Sequence, residues 1–338
     1  MPLSSETSPL QASRTWVSLG LTFLLLGIGF ATPIPLTRSF PPGIWEGEIS
    51  REALNLYALT AFLGWGHFAY AWQGQLRATR RLRPRAAWVY WLLVLAWLGC
   101  FFAVRQVLGV GIFSLLIWVY NIGHLIKAET FFAGTSRKGG YRTPAVAFAW
   151  FTLVLFRVGP LRWEALVFAI TLTLALAALW FGDWRLLTRG ASRLPVLTLF
   201  LLGETLVWSA YQPYMTAGFR VGIYVFHIAA ASFFHYTSSY IYAQRNSPPV
   251  LLRLGGILGV NAFVVLLGYA ADRLPALRPL RFVLDPEWFT LWVALHLAAS
   301  DLLPWWRKKS SRSTPALAAA AKPFLSAEPP QRPDRAPG

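Results

Sequence analysis

Five histidines occur in 338 residues, and each lies in an apolar run. His67 sits in "LGWGHFAYAWQ", His124 in "VYNIGHLIKAE" and His296 in "LWVALHLAASD", while His227 and His235 share "VFHIAAASFFHYTSSYIYAQR". None falls in a polar loop or in the tail. Neutral imidazole is the commonest side-chain metal ligand, and several imidazoles arriving from separate segments suit iron, copper or zinc. An ionisable group inside hydrocarbon is costly and marks function by default. A hydrogen bond to a neighbouring carbonyl explains one such histidine equally well. A shared centre better explains several at one depth, so His67, His124, His235 and His296 are the first candidate ligands. His227 stands about 12 Å along the helix from His235 and about 80° round it. One ion does not suit both, and His227 is a candidate ligand of a second site or a lining of an access path.

Other polar residues fall near these rings. Tyr120 and Asn121 precede His124 by four and three positions, and Ser232 and Ser239 flank His235 at minus three and plus four. Such spacing puts them on the histidine's own helix face. They can hold the ring's second nitrogen and fix its tautomer, or form ordinary interhelical hydrogen bonds. Glu204, inside "LFLLGETLVW", is a carboxylate with no cation in its own run. Glu204 and Tyr120 are the candidate catalytic groups, as carriers of a proton. Glu129 and Asp301 follow a histidine by five residues, about 140° round the helix, which places them off its face and toward the interface.

The elements that position these side chains follow from composition. The chain is 56% hydrophobic and 13% charged, with a mean hydropathy of +0.47, whereas soluble domains carry roughly 25% charged residues. Only a bilayer hides so much apolar surface, so the expected class is all-α, a polytopic transmembrane helix bundle. The net charge of +17 does not point to nucleic acid, because the arginines cluster in short loops between apolar runs, the pattern that orients helices toward the cytoplasm. The single cysteine, Cys100, allows no intrachain disulfide. Residues 1–14 lack the charge-then-apolar order of a cleavable signal and read as a cytoplasmic N-terminal segment.

Ten runs approach the about 20 residues a spanning helix needs, near 15–34, 53–73, 86–104, 107–127, 144–159, 163–182, 195–211, 219–243, 255–271 and 288–306. Three are short, so eight to ten spans fit. With both termini cytoplasmic, inner loops hold 17 basic residues against nine outside, the expected sense of the bias. The transmembrane domain is then 15–306, and 307–338 is a basic, Pro- and Ala-rich cytoplasmic tail of disordered composition. No internal repeat supports an inverted-repeat transporter. The second, fourth, eighth and tenth runs carry the histidines, and all four descend in the same direction. Their four rings are thereby expected in one slab of the inner half of the bilayer.

Isolated histidines in membrane helices, with "GHFAYAW" around His67 and "FHYTSSYIYAQR" around His235, resemble in general pattern the bacterial Brp/Blh family, related to bacteriorhodopsin expression and beta-carotene cleavage. The resemblance spans residues 53–306. It implies a bacterial inner-membrane dioxygenase whose non-haem iron is held by histidines from several helices, here His67, His124 and His235. The expected function is a histidine-ligated iron oxygenase acting on an isoprenoid or other membrane lipid. Two alternatives stay open: haem b between paired histidines, serving electron transfer, and a non-catalytic transporter or assembly subunit.

Overall fold

The computed structural model describes residues 9–32, 50–80, 82–132, 216–245, 254–283 and 286–312, together with 196–197, 200, 203–204, 207, 211 and 214. Every element among them is helical. They are α1 (Pro9–Ala31), α2 (Arg51–Arg80), α3 (Pro84–Phe132), α4 (Ala217–Arg245), α5 (Leu254–Arg273), a 3-10 segment (Pro275–Val283) and α6 (Pro286–Arg312). The runs near 144–159 and 163–182 lie outside the described residues, and the run near 195–211 is described only in part.

Local chemistry sets the ends. Ser50 caps α2 by accepting from the Ala53 N–H at 3.2 Å, and Thr216 caps α4 by accepting from Phe219 N–H at 3.2 Å; a hydroxyl there replaces a missing intrahelical partner. Pro84 and Pro286 begin their helices, where the absent N–H costs nothing. Helix α6 continues through Arg312, six residues beyond the expected start of the tail.

Among the described residues, three helices are long and apolar enough to cross a membrane: Arg14–Ala31 in α1, Pro84–Val110 in α3 and Gly255–Arg273 in α5. The runs at 86–104 and 107–127, expected as two spans, form one helical element interrupted only at Gly109 (φ 76°, ψ 163°). Contacts with α6 show that the chain folds back there. On one side of the turn, Phe102 stacks on Trp288 and the Tyr90 hydroxyl donates to the Ala299 carbonyl at 2.9 Å. On the other, Phe113 packs with Leu291, and Tyr120 and Lys127 both reach Asp301. Residues 90 and 127 thus meet the same stretch of α6, which a continuous helix would put about 55 Å apart. Gly109 adopts a region essentially closed to side chains. α3 is therefore a helical hairpin with a first arm, Pro84–Val110, and a second arm, residues 110–132.

The second arm, α2, α4 and α6 run in one direction. Phe68 meets Phe289 and Gln75 meets Ser300; Trp118 meets His227 and His124 meets His235. α1 runs against α4, pairing Ser18 with Thr237 and Phe30 with Phe226. The four parallel helices are those that carry the histidines.

Candidate metal centre

His67, His124, His235 and His296 come together between these helices. Ring centroids lie 4.5 Å apart for His67–His235, 5.0 Å for His67–His296, 5.2 Å for His124–His296 and 5.5 Å for His124–His235. One ligand atom from each of His67, His124 and His296 lies within 4.8 Å of the others. The Nε2 atoms of His67 and His235 are 3.1 Å apart. Two nitrogens held at right angles about 2.1 Å from one ion would sit about 3.0 Å apart, given usual metal–imidazole distances.

Backbone chemistry orients the rings. Ser239 donates its hydroxyl proton to the Tyr236 carbonyl at 2.8 Å, and its oxygen lies 3.1 Å from His67 Nδ1. With that proton spent, the oxygen accepts from Nδ1–H and leaves the His67 Nε2 lone pair facing the cluster. This is the second hydrogen bond that metal-ligating histidines commonly make. The partner differs from the expected one: Ser239 lies one turn beyond His235 on the same helix but serves His67 across the helix interface. His296 is 3% exposed, and neither ring nitrogen has a hydrogen-bond partner among the described residues. Its ring rests on Phe68, with centroids 5.0 Å apart. Buried polar atoms are nearly always paired, so two orphaned nitrogens on one ring call for a ligand of their own.

Close packing beside His67 depends on Gly66. Its N–H donates to Asn261 Oδ1 at 2.9 Å, and a Cβ added there would meet that oxygen at 2.5 Å. Small residues permit this approach between membrane helices, and here it seats α5 against the turn carrying His67.

The remaining candidates are placed elsewhere. His227, proposed as a metal ligand, pairs through Nδ1 with Glu204 Oε2, and both side chains are buried. It packs edge-on to Trp118 and flat on Phe200, away from the four-ring cluster, because eight residues of helix turn it off the face of His235. The carboxylate of Glu204, read from the sequence as a candidate proton carrier, is thereby a partner of His227. Tyr120, the other candidate proton carrier, donates its hydroxyl to Asp301 Oδ2 at 2.7 Å, and Lys127 meets the other oxygen at 3.0 Å. Asp301 meets the neighbouring helix, and Glu129 accepts from the backbone N–H groups of Val196 and Leu197. Asn121 and Ser232 do border the cavity above the cluster. The link between Glu204 and His227 was invisible in the sequence because the two are 23 residues apart on different helices.

The same geometry bears on haem. A porphyrin must stand between its axial imidazoles, and these rings pack directly on one another and on Phe68. Among the described residues, the group placed closely enough to share one ion is His67, His124 and His296, with His235 Nε2 in hydrogen-bond contact with His67 Nε2.

Comparison with protein families, with curated proteins and with solved structures finds no match.

Proposed function

We propose that this chain is an integral membrane metalloenzyme whose His67, His124, His235 and His296 hold iron and which oxygenates an isoprenoid or other lipid from within the bilayer. The observation that carries the reading is the convergence of four imidazoles from four helices, with His296 buried and both its nitrogens unpartnered. Nitrogen ligands without carboxylates suit iron, copper or zinc; the resemblance to iron dioxygenases favours iron. The ion would supply dioxygen chemistry. Addition of both oxygen atoms across a carbon–carbon double bond gives two carbonyl ends and consumes no outside electrons.

The protein's own part is positional. Ser239 holds the His67 tautomer, Phe68 supports His296, and apolar walls keep bulk water from the centre. Lipid reaches such a site laterally, and the outward apolar faces of α1, α3 and α5 favour a bacterial inner-membrane setting with both termini cytoplasmic. The excess of arginine in alternate loops supports that orientation.

Elemental analysis of the purified protein tests the reading. One iron per chain is expected, with loss of stoichiometric metal in His67→Ala and His296→Ala and retention in His227→Gln. Absence of any transition metal after reconstitution with Fe(II), Cu(II) and Zn(II) in turn would remove the metalloenzyme. A transporter or assembly subunit would instead lose stability, and no metal, on those substitutions.

A further inference from the structure

The cavity above the cluster has a direction. It is bordered from Tyr57 to His67 on α2, from Ser114 to His124 on α3, from Tyr224 to His235 on α4 and from Phe289 to His296 on α6. Since these helices are parallel, the first three stretches each cover about 15 Å along the bundle. In every helix the histidine is the last bordering residue or is followed by just one more: Phe68, Leu125 or Tyr236. Below that level, hydrogen bonds cross between helices. Gln75 donates to Ser300 at 3.1 Å, and Tyr120 and Lys127 converge on Asp301. The histidines are thus the floor of a slot that extends toward the N-terminal ends of its helices. The slot is thus elongated along the bundle, with its long axis parallel to the four helices. Ile117, Val225, Ile228 and Val293 make its middle apolar.

We infer that the slot takes a single extended hydrocarbon chain end-on, so that the chain terminus, and not its middle, lies against the histidines. The inference rests on the proposed lipid-oxygenating reading and adds where along the lipid the centre acts. Acyl and prenyl chains share the extended hydrocarbon form the slot would take, and a prenyl terminus also carries the carbon–carbon double bond that the proposed reaction cleaves. A chain threaded through the site would need an exit past the His67–His235 contact and the hydrogen bonds beneath it. At the helix N-terminal end the bordering residues include Tyr57 and Phe289, whose rings meet edge-on with centroids 6.1 Å apart, so a chain entering there passes beside an aromatic pair.

Photo-crosslinking of the full-length protein in lipid nanodiscs tests this without requiring bound metal. A C16 fatty acid bearing a diazirine at its terminal carbon is expected to label floor residues such as Phe68, Leu125 and Tyr236. The same acid with the diazirine next to its carboxyl is expected to label Tyr57, Tyr224 or Phe289. A geranylgeraniol pair labelled at the corresponding ends separates a prenyl from an acyl preference. Ile228→Trp, which fills the slot between those levels, is expected to lower floor labelling about tenfold, equivalent to one tenfold step in affinity, with metal content unchanged. If Ile228→Trp does not fold, the position dependence in the wild-type protein decides. Identical labelling by both diazirine positions, or labelling confined to outward residues such as Trp88 and Phe263, overturns the inference. Metal measured on the same samples separates that failure from failure of the metal centre.

Discussion

The first arm of α3 and helix α4 are both hydrophobic helices of similar length, yet they are built inside out relative to each other. Only 11% of Pro84–Val110 is buried, and Trp88, Leu92, Leu95 and Trp97 face outward. In α4 polar residues are buried along with the apolar ones: His227, Ser232, His235, Thr237 and Ser239 are all 5% exposed or less, as are Val225 and Phe233. In water this arrangement would be an aggregation surface around a costly core. In lipid it is what the solvent favours, because hydrocarbon satisfies no polar group and apolar side chains are at home on the outside. The two helices differ in what they are for. One supplies apolar contact with the bilayer, while the other holds the polar groups that must find partners within the protein.

Substitutions can break this contrast. The largest expected loss is in the inner set: His227→Ala leaves the Glu204 carboxylate buried and unpaired, which costs about 3–5 kcal/mol in comparable pairs, read as loss of folded protein in a detergent-unfolding series. Phe233→Ala, at 0% exposure, is expected to cost about 3–5 kcal/mol through the cavity it leaves, measured in the same way. Ser239→Ala is expected to weaken metal binding about 10–100-fold, as removal of an outer hydrogen bond to a ligating histidine does; a competitive chelator titration checks it, with the unfolding midpoint as a control for folding. Gly109→Ala imposes a backbone conformation costing about 1–3 kcal/mol, although no atom obstructs the added Cβ. The smallest effect belongs to the outer arm: Leu95→Ala is expected to stay within about 0.5 kcal/mol. An outer substitution as damaging as Phe233→Ala would show that this face is covered by another protein and not by lipid.

Several features were legible in the residues. Helical class and membrane-length apolar segments follow from charge depletion. The placement of all five histidines in apolar runs, four of them on helices of one expected direction, singled out the rings that the fold brings together. Other features were not legible. Ser239 reads as a partner of His235 by its helical spacing but serves His67, since hydrogen bonds across a helix interface have no sequence period. The 86–104 and 107–127 runs correspond to the two arms of the hairpin, but the position of the reversal was not legible, because it is made by Gly109 inside the second run. Tyr120 sits on the face of His124 by spacing, but a tyrosine hydroxyl lies far enough from its backbone to reach a different helix.

By itself the sequence determined the solvent of this protein and the rarity of its polar groups, because transfer free energies belong to residue types and hold wherever the residues sit. Tertiary structure alone decided which polar groups meet. The pairing of Glu204 with His227, the exclusion of that pair from the four-ring cluster and the closed lower end of the slot all depend on helix azimuth and crossing. Those are set by close contacts between helices, such as Gly66 against Asn261, which no residue-type preference encodes.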